Sequence, residues 1–129
     1  MKKTIYLDNA ATTPLDPVVL DAMLPFLRND FGNPSSTHSF GRKTKNAIEI
    51  NRKKIADYIN AEPSEIVFTS GGTEADNMAL RCAVSDLKVS RIITSSIEHH
   101  AVGHTANHLK DSCNIKVDHV NIDPLGHVD

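Results

Sequence analysis

The sequence predicts an α/β fold with a largely parallel sheet flanked by helices. From residue 65 onward, short apolar runs alternate with segments in which apolar residues recur at helical spacing, and turn-forming residues separate them. Strands that alternate with helices of this length are typical of βαβ units, whose strands lie parallel. A chain of 129 residues, 40% of them hydrophobic, is long enough for one domain with a sizeable core.

The first half of the chain predicts one strand and two helices. Residues 4–8 (TIYLD) are β-like, and a turn-rich stretch follows them. Apolar spacing predicts a helix over residues 17–31, in which Pro25 is expected to cause a kink or an early break. Residues 31–43 have the composition of a loop, whereas residues 45–60 carry an apolar stripe opposite polar residues and predict an amphipathic helix.

The second half predicts three strands and two helices in alternation. The strands are expected at residues 65–69, 90–96 and 115–122, and the helices at residues 73–84 and 99–111. Ligands of parallel α/β sheets bind at the carboxyl ends of the strands. The two strand-to-helix junctions are therefore the places to look for a site.

The first junction has the sequence SGGTEADN, residues 70–77. Two glycines before a helix let the backbone approach a ligand, and the free N–H groups of the helix favour an anion such as phosphate. The Ser70 and Thr73 hydroxyls can add hydrogen bonds, while Glu74 and Asp76 would repel a phosphate unless they point away. An ordinary helix cap is the alternative, and the pattern is neither GxGxxG nor a P-loop.

The second junction has the sequence SSIEHHAV, residues 95–102. A histidine here can stack on a planar heteroaromatic cofactor and take part in proton transfer. The alternative is a surface histidine that caps the helix. His100, His104 and His108 also share one helix face, so a zinc-binding pair is a further possibility, although no HExxH pattern is present and a solvated polar face explains the spacing as well.

The composition argues against several kinds of partner. A net charge of −2 gives no reason to expect nucleic acid, and no apolar run approaches the length of a membrane span or a signal peptide. The two cysteines, Cys82 and Cys113, are too few for a disulfide framework and are expected to be small buried or half-buried residues. These observations predict a cytoplasmic protein.

Four stretches of the chain together resemble a known family. YLDNAATTP, FGNPSSTHSFG, EIVFTSGGTEADN and SSIEHHAV are similar, in order, to motifs of the cysteine desulfurases, the NifS- and IscS-like members of the class V aminotransferase group. These are fold-type-I enzymes that use pyridoxal 5'-phosphate. The resemblance covers the first third of such an enzyme, and it implies that residues 1–15 form an arm of the small domain and residues 16–129 begin the large domain.

The resemblance also implies roles for particular residues. Gly72 and Thr73 match the family's phosphate contacts, although alanine is more common at the Gly72 position. His99 matches the histidine that stacks on the cofactor ring and moves protons in catalysis. His100 stands where relatives often have lysine and is given no role, and the resemblance gives none for residues 33–38 either.

The implied reaction converts L-cysteine to L-alanine and leaves the sulfur as a persulfide on an enzyme cysteine. The family's cofactor-binding lysine and nucleophilic cysteine lie beyond the matched segment, so the 129 residues alone are expected to be inactive. The resemblance further implies a homodimer and a sulfur-acceptor or scaffold protein, as in iron–sulfur cluster assembly. A selenocysteine lyase, another class V enzyme and a non-catalytic binding remnant remain as alternatives.

Overall fold

A computed structural model describes residues 4–128, so residues 1–3 of the predicted arm and residue 129 of the predicted large domain lie outside the described residues. In chain order, the elements are α1 (Pro17–Arg28), α2 (Ser39–Ile59), a 3-10 turn (Pro63–Glu65), α3 (Gly72–Ser85), β1 (Arg91–Thr94), α4 (His100–Cys113) and β2 (Lys116–His119). The chain divides into two compact units, Met1–Ile66 and Val67–Asp129. The division into an arm and a large domain at residue 15 stays a prediction.

The first helix, α1, confirms the predicted helix but not the early break. Asp16 caps it by accepting a hydrogen bond from the Val18 N–H at 2.8 Å. The helix continues past Pro25 to Arg28, and the Asn29 N–H then donates to the Pro25 carbonyl at 2.8 Å. The single hydrogen bond that proline cannot donate is thus tolerated near the end of a capped helix.

The second helix, α2, begins earlier than the sequence predicts, because residues 39–43 of the predicted loop are helical. The His38 ring caps the helix by accepting a hydrogen bond from the Gly41 N–H at 3.4 Å. A Cβ atom at Gly41 would lie 2.4 Å from the Ser36 carbonyl oxygen. This glycine therefore serves close backbone packing inside a helix, whereas its presence had suggested a loop.

The segment of residues 33–38, which had no predicted role, forms the turn that leads into α2. The Ser35 N–H donates to the Asn33 side-chain oxygen at 2.9 Å, and the Ser36 N–H donates to the Asn33 carbonyl at 3.0 Å. Such local bonds are what asparagine commonly supplies in turns. The segment thus has a structural role in this unit.

Two of the predicted strands, at residues 4–8 and 65–69, are not present. Residues 63–65 instead form the 3-10 turn, which the Glu62 N–H closes by donating to the Glu65 carboxylate at 2.7 Å. A strand needs a neighbouring strand to satisfy its backbone groups. Within the described residues, neither apolar run lies beside one, since the only sheet there consists of β1 and β2.

The unit Val67–Asp129 confirms the α/β prediction. Strands β1 and β2 pair in parallel, with Ile92 opposite Val117, and α4 connects them. Helices α3 and α4 match the two helices predicted in this half of the chain. Both pack together around a buried apolar cluster formed by Val84, Ile92, Ala106, Leu109 and Ile115. In the described part of the chain, no helix is both long and apolar enough to span a membrane.

Candidate functional site

Helices α3 and α4 border an open cleft of about 440 Å³. The α3 side of the cleft consists of Thr73, Asn77 and Arg81, which are spaced one helical turn apart. The α4 side consists of His99, His100, Ala101, His104, Thr105 and His108. The structure therefore brings together Thr73 and His99, which the sequence had placed at separate junctions, while Gly72 lies beside the cleft at the start of α3.

The start of α3 leaves backbone N–H groups available for an anion. The first hydrogen bond of the helix runs from the Ala75 N–H to the Gly71 carbonyl at 3.1 Å, so the N–H groups of Gly72 and Thr73 precede it. A Cβ atom at Gly71 or Gly72 would meet nothing within 4 Å, so the space beside this turn is open. Free N–H groups at the positive end of a helix dipole form the kind of site that binds phosphate.

Glu74 in the first turn of α3 folds back onto Ser70. Its carboxylate accepts a hydrogen bond from the Ser70 N–H at 2.6 Å and another from the Ser70 hydroxyl at 2.7 Å. The hydroxyl bond, followed by the backbone bond, lowers the pKa of Glu74 below its usual value. Because Glu74 occupies both donors of Ser70, the Ser70 hydroxyl is not free as the sequence had suggested, and the Thr73 hydroxyl is the better candidate for a phosphate contact.

His99 caps α4 and lines the cleft at the same time. Its Nδ1 atom accepts a hydrogen bond from the Ala101 N–H at 3.1 Å. An accepting Nδ1 carries no proton, so the proton of the neutral ring lies on Nε2. His99 therefore does cap the helix, as the alternative predicted. Its ring still lies beside the cleft, where Nε2 can donate a hydrogen bond.

The histidine face of α4 follows the same cleft. The rings of His100 and His104 stack with centroids 5.2 Å apart, and His108 lines the cleft further along the helix. Within residues 4–128, no group of three or more histidine, cysteine, aspartate or glutamate side chains is arranged to hold a metal ion.

Both cysteines are exposed, which contradicts the expectation that they are buried or half-buried. The buried cluster uses Val84 of α3, and Cys82 lies two residues away, on a different side of the helix. Cys113 is the last residue of α4, beyond the packed turns. Neither residue lines the cleft.

Two polar residues that had no predicted role, Asn77 and Thr105, join the sides of the cleft. The Thr105 hydroxyl of α4 donates to the Asn77 side-chain oxygen of α3 at 2.8 Å. The Asn77 amide nitrogen in turn donates to the Thr73 carbonyl at 2.8 Å. The spacing of Thr73 and Asn77, four residues apart on one helix face, could have drawn attention to the asparagine.

The fold and the cleft define a class of protein, an α/β protein in which a helix start with free N–H groups and a histidine lie at one cleft. Comparison with known families gives the particular family. Residues 5–129 match the family Aminotransferase class-V, and the chain belongs to that family.

Individual relatives agree with this assignment. A protein named cysteine desulfurase IscS, from Dictyoglomus turgidum, is 50% identical over 100% of this chain and 33% of its own length. A solved structure titled "SspA in complex with cysteine" is 41% identical over 93% of this chain and 35% of that one, with a TM-score of 0.83. A cysteine desulfurase structure from Thermococcus onnurineus NA1 is 28% identical over 97% of this chain and 32% of that one, with a TM-score of 0.81. The chain thus spans about a third of the length of the relatives that it matches.

Proposed function

We propose that this chain is the N-terminal part of a cysteine desulfurase, an enzyme that converts L-cysteine to L-alanine and transfers the sulfur to one of its own cysteines. The observation that carries the proposal is the shared cleft of Thr73 and His99. These are two of the residues that the family resemblance assigns to the cofactor. A 50% identical relative with the name of this enzyme, and a similar structure whose title includes cysteine, also support it.

The residues present fit the phosphate group of pyridoxal 5'-phosphate. Gly72 and Thr73 would hold it, because their N–H groups precede the first helical hydrogen bond and the space beside the turn is open. The carboxylate of Glu74 is bound to Ser70, so it does not compete for these two donors. When bound, the cofactor would supply an electron sink for reactions at the α-carbon of an amino acid.

The part of His99 follows from its hydrogen bond. With Nδ1 accepting from the Ala101 N–H, the ring is fixed to the start of α4 and Nε2 holds the mobile proton. The imidazole can therefore both pack against a planar ring in the cleft and deliver or accept a proton at Nε2. We assign His99 these two tasks, and Gly72 and Thr73 the binding of the phosphate.

The proposal includes further properties that the family resemblance implies. We infer a homodimer, a cytoplasmic location and a protein that accepts the sulfur or serves as a scaffold for it. We also infer that residues 1–15 belong to the small domain, residues 16–129 belong to the large domain, and the 129 residues alone do not catalyse the reaction. A selenocysteine lyase or another class V enzyme is the competing activity, and a non-catalytic phosphate-binding remnant is the competing role.

The test is an assay of the protein at its native length, loaded with pyridoxal 5'-phosphate and supplied with L-cysteine or L-selenocysteine. We expect stoichiometric alanine and sulfide in the presence of a thiol reductant, and retention of the cofactor through gel filtration. His99→Ala should lower the rate by about 10²-fold or more, as the loss of a proton-transfer group does. Asn107→Ala, at an exposed position of the same helix that does not line the cleft, is the matched control and should stay near the wild-type rate.

Each other outcome argues for a named alternative. Alanine formed from selenocysteine alone would indicate the lyase, and retained cofactor without alanine from either substrate would indicate another class V reaction. A protein that retains no cofactor would overturn the proposal as a whole.

A further inference from the structure

We propose that Asn77 and Thr105 are a positioning pair, which fixes the phosphate-binding turn of α3 relative to His99 of α4. The inference deepens the proposed function and rests on it, because it concerns how the two halves of the cofactor site are held together. Neither residue belongs to the motif positions that the family resemblance assigns to the cofactor.

The pair forms a continuous connection between two helices. The Thr105 hydroxyl donates to Asn77 Oδ1, and Asn77 Nδ2 donates to the carbonyl of Thr73, both at 2.8 Å. The amide has to lie this way round, since its oxygen would repel the Thr73 carbonyl. Asn77 therefore uses one amide group to contact the first turn of α3 and, across the cleft, the middle of α4.

The geometry of Thr105 shows that its bond is a specific one. A threonine inside a helix commonly bonds back to a carbonyl of its own preceding turn. Thr105 instead donates across to α3, and only 5% of the residue is exposed. Without this bond, a half-buried Asn77 oxygen would be left without its partner, which is costly for a group shielded from water.

Helix α4 connects Thr105 to His99, which caps the start of the same helix. The His99 carbonyl accepts hydrogen bonds from the Val102 N–H at 2.9 Å and the Gly103 N–H at 3.2 Å, so this residue is anchored to the first turn of α4. Thr105 lies in the next turn of that helix. Holding Thr105 therefore also holds the His99 end of α4 relative to Thr73.

A positioning role makes a distinctive prediction about ligands of different size. Inorganic phosphate needs only the turn at Gly72 and Thr73, whereas pyridoxal 5'-phosphate needs the turn and His99 in register. Loss of the hydrogen bond between Thr105 and Asn77 should therefore weaken the binding of pyridoxal 5'-phosphate and leave the binding of inorganic phosphate nearly unchanged. A residue with a merely structural role would affect both ligands alike.

The experiment compares Thr105→Val with Thr105→Ser in the cofactor-free protein at native length. Calorimetric titration should show that T105V binds pyridoxal 5'-phosphate about tenfold more weakly, the effect of losing one hydrogen bond of ordinary strength. Inorganic phosphate should bind within about twofold of wild type, and T105S should restore both affinities. Ser112→Ala is the matched control, because the Ser112 hydroxyl donates only to its own helix, at the His108 carbonyl.

Hydrogen exchange of the cofactor-free protein supplies a readout that does not depend on the ligand. In T105V, the amides of residues 73–77 in α3 should exchange at least several times faster, although the substitution lies in α4. Unchanged exchange there, or an equal loss of affinity for both ligands, would overturn the inference. If wild type binds no pyridoxal 5'-phosphate, the proposed function fails, and the exchange result still decides whether Thr105 holds the turn.

Discussion

The two compact units of the chain differ in what holds them together. The unit Val67–Asp129 has a buried cluster that joins two helices to a parallel strand pair. In the unit Met1–Ile66, α1 has no buried residue. Of the apolar side chains that the structure describes in this unit, Ala56 alone is buried. This first unit relies on caps, tight turns and glycine contacts. The unit with the proposed cofactor site therefore has a packed apolar core of its own, whereas the first unit is held mainly by backbone and capping contacts.

The largest loss of stability is expected when a side chain of the buried cluster in the second unit is truncated. Leu109 is 4% exposed, so Leu109→Ala should reduce the free energy of unfolding by about 3 kcal/mol, through lost burial and a residual cavity. Leu27→Ala on α1 is the matched control and should cost about 0.5 kcal/mol, because 66% of Leu27 is already exposed. Urea unfolding followed by circular dichroism measures both. Equal losses would contradict the difference between the units.

The next effect tests the glycine contacts of the first unit. In Gly41→Ala, the new Cβ atom would lie 2.4 Å from the Ser36 carbonyl oxygen, so the backbone must move at a cost of about 2 kcal/mol. Gly103→Ala in α4 is the matched control, because nothing lies within 4 Å of its Cβ position. This second change should stabilise the protein by about 0.5 kcal/mol through helix propensity. Thermal melts that shift in the same direction would refute this account of Gly41.

Two buried threonines of the second unit give a smaller contrast. The Thr94 hydroxyl has no hydrogen-bond partner among residues 4–128, whereas the Thr105 hydroxyl has Asn77. Thr94→Val should therefore raise stability by about 1 kcal/mol, while Thr105→Val should lower it by a similar amount. Melting temperatures of the two variants test the contrast, and a destabilised T94V would mean that the Thr94 hydroxyl does have a partner.

The smallest effect is the pH dependence at the start of α3. The Ser70 hydroxyl and N–H lower the pKa of Glu74 in the folded state, so this carboxylate stabilises the fold above its usual pKa of about 4.5. The contribution is lost as pH falls through the lowered folded-state value. Glu74→Gln should therefore melt below wild type at pH 6, and the difference should narrow as pH falls below about 4.5.

The difference in melting temperature between wild type and Glu74→Gln reports on Glu74, because both proteins contain all the other carboxylates. The pKa of Asp123 is lowered mainly by the hydrogen bond from the His127 N–H. Asp123 therefore loses its own stabilising effect at low pH in wild type and variant alike. A melting-temperature difference that stayed constant from pH 6 to pH 3 would contradict the Glu74 assignment.

The sequence could predict the parts of the fold that depend on local pattern. The amphipathic spacing of α2, α3 and α4 and the parallel pair of β1 and β2 followed from periodicity and alternation. The strands expected at residues 4–8 and 65–69 failed for a non-local reason. Their backbones need partners, and an apolar run does not reveal whether one lies beside it.

The candidate site divides in the same way. Thr73 and His99 could be named from motifs. They lie at one cleft because α3 and α4 pack together, since the strand expected before α3 is not present among the described residues. The Glu74 bond to Ser70 and the connection through Asn77 and Thr105 could not be predicted, because they depend on rotamers and on how closely α3 and α4 pack. The loop prediction at Gly41 was wrong, because the sequence alone does not show whether a glycine lies in a turn or allows close packing inside a helix.

We propose that the start of α3 and His99 form one cofactor site. The most direct measurement is a crystal structure of the protein at native length with pyridoxal 5'-phosphate bound. We expect the phosphate oxygens to lie within hydrogen-bond distance of the Gly72 and Thr73 N–H groups, and the ring to pack against the His99 imidazole. A phosphate bound elsewhere, for example at Arg81 and His108 in the same cleft, would contradict the account.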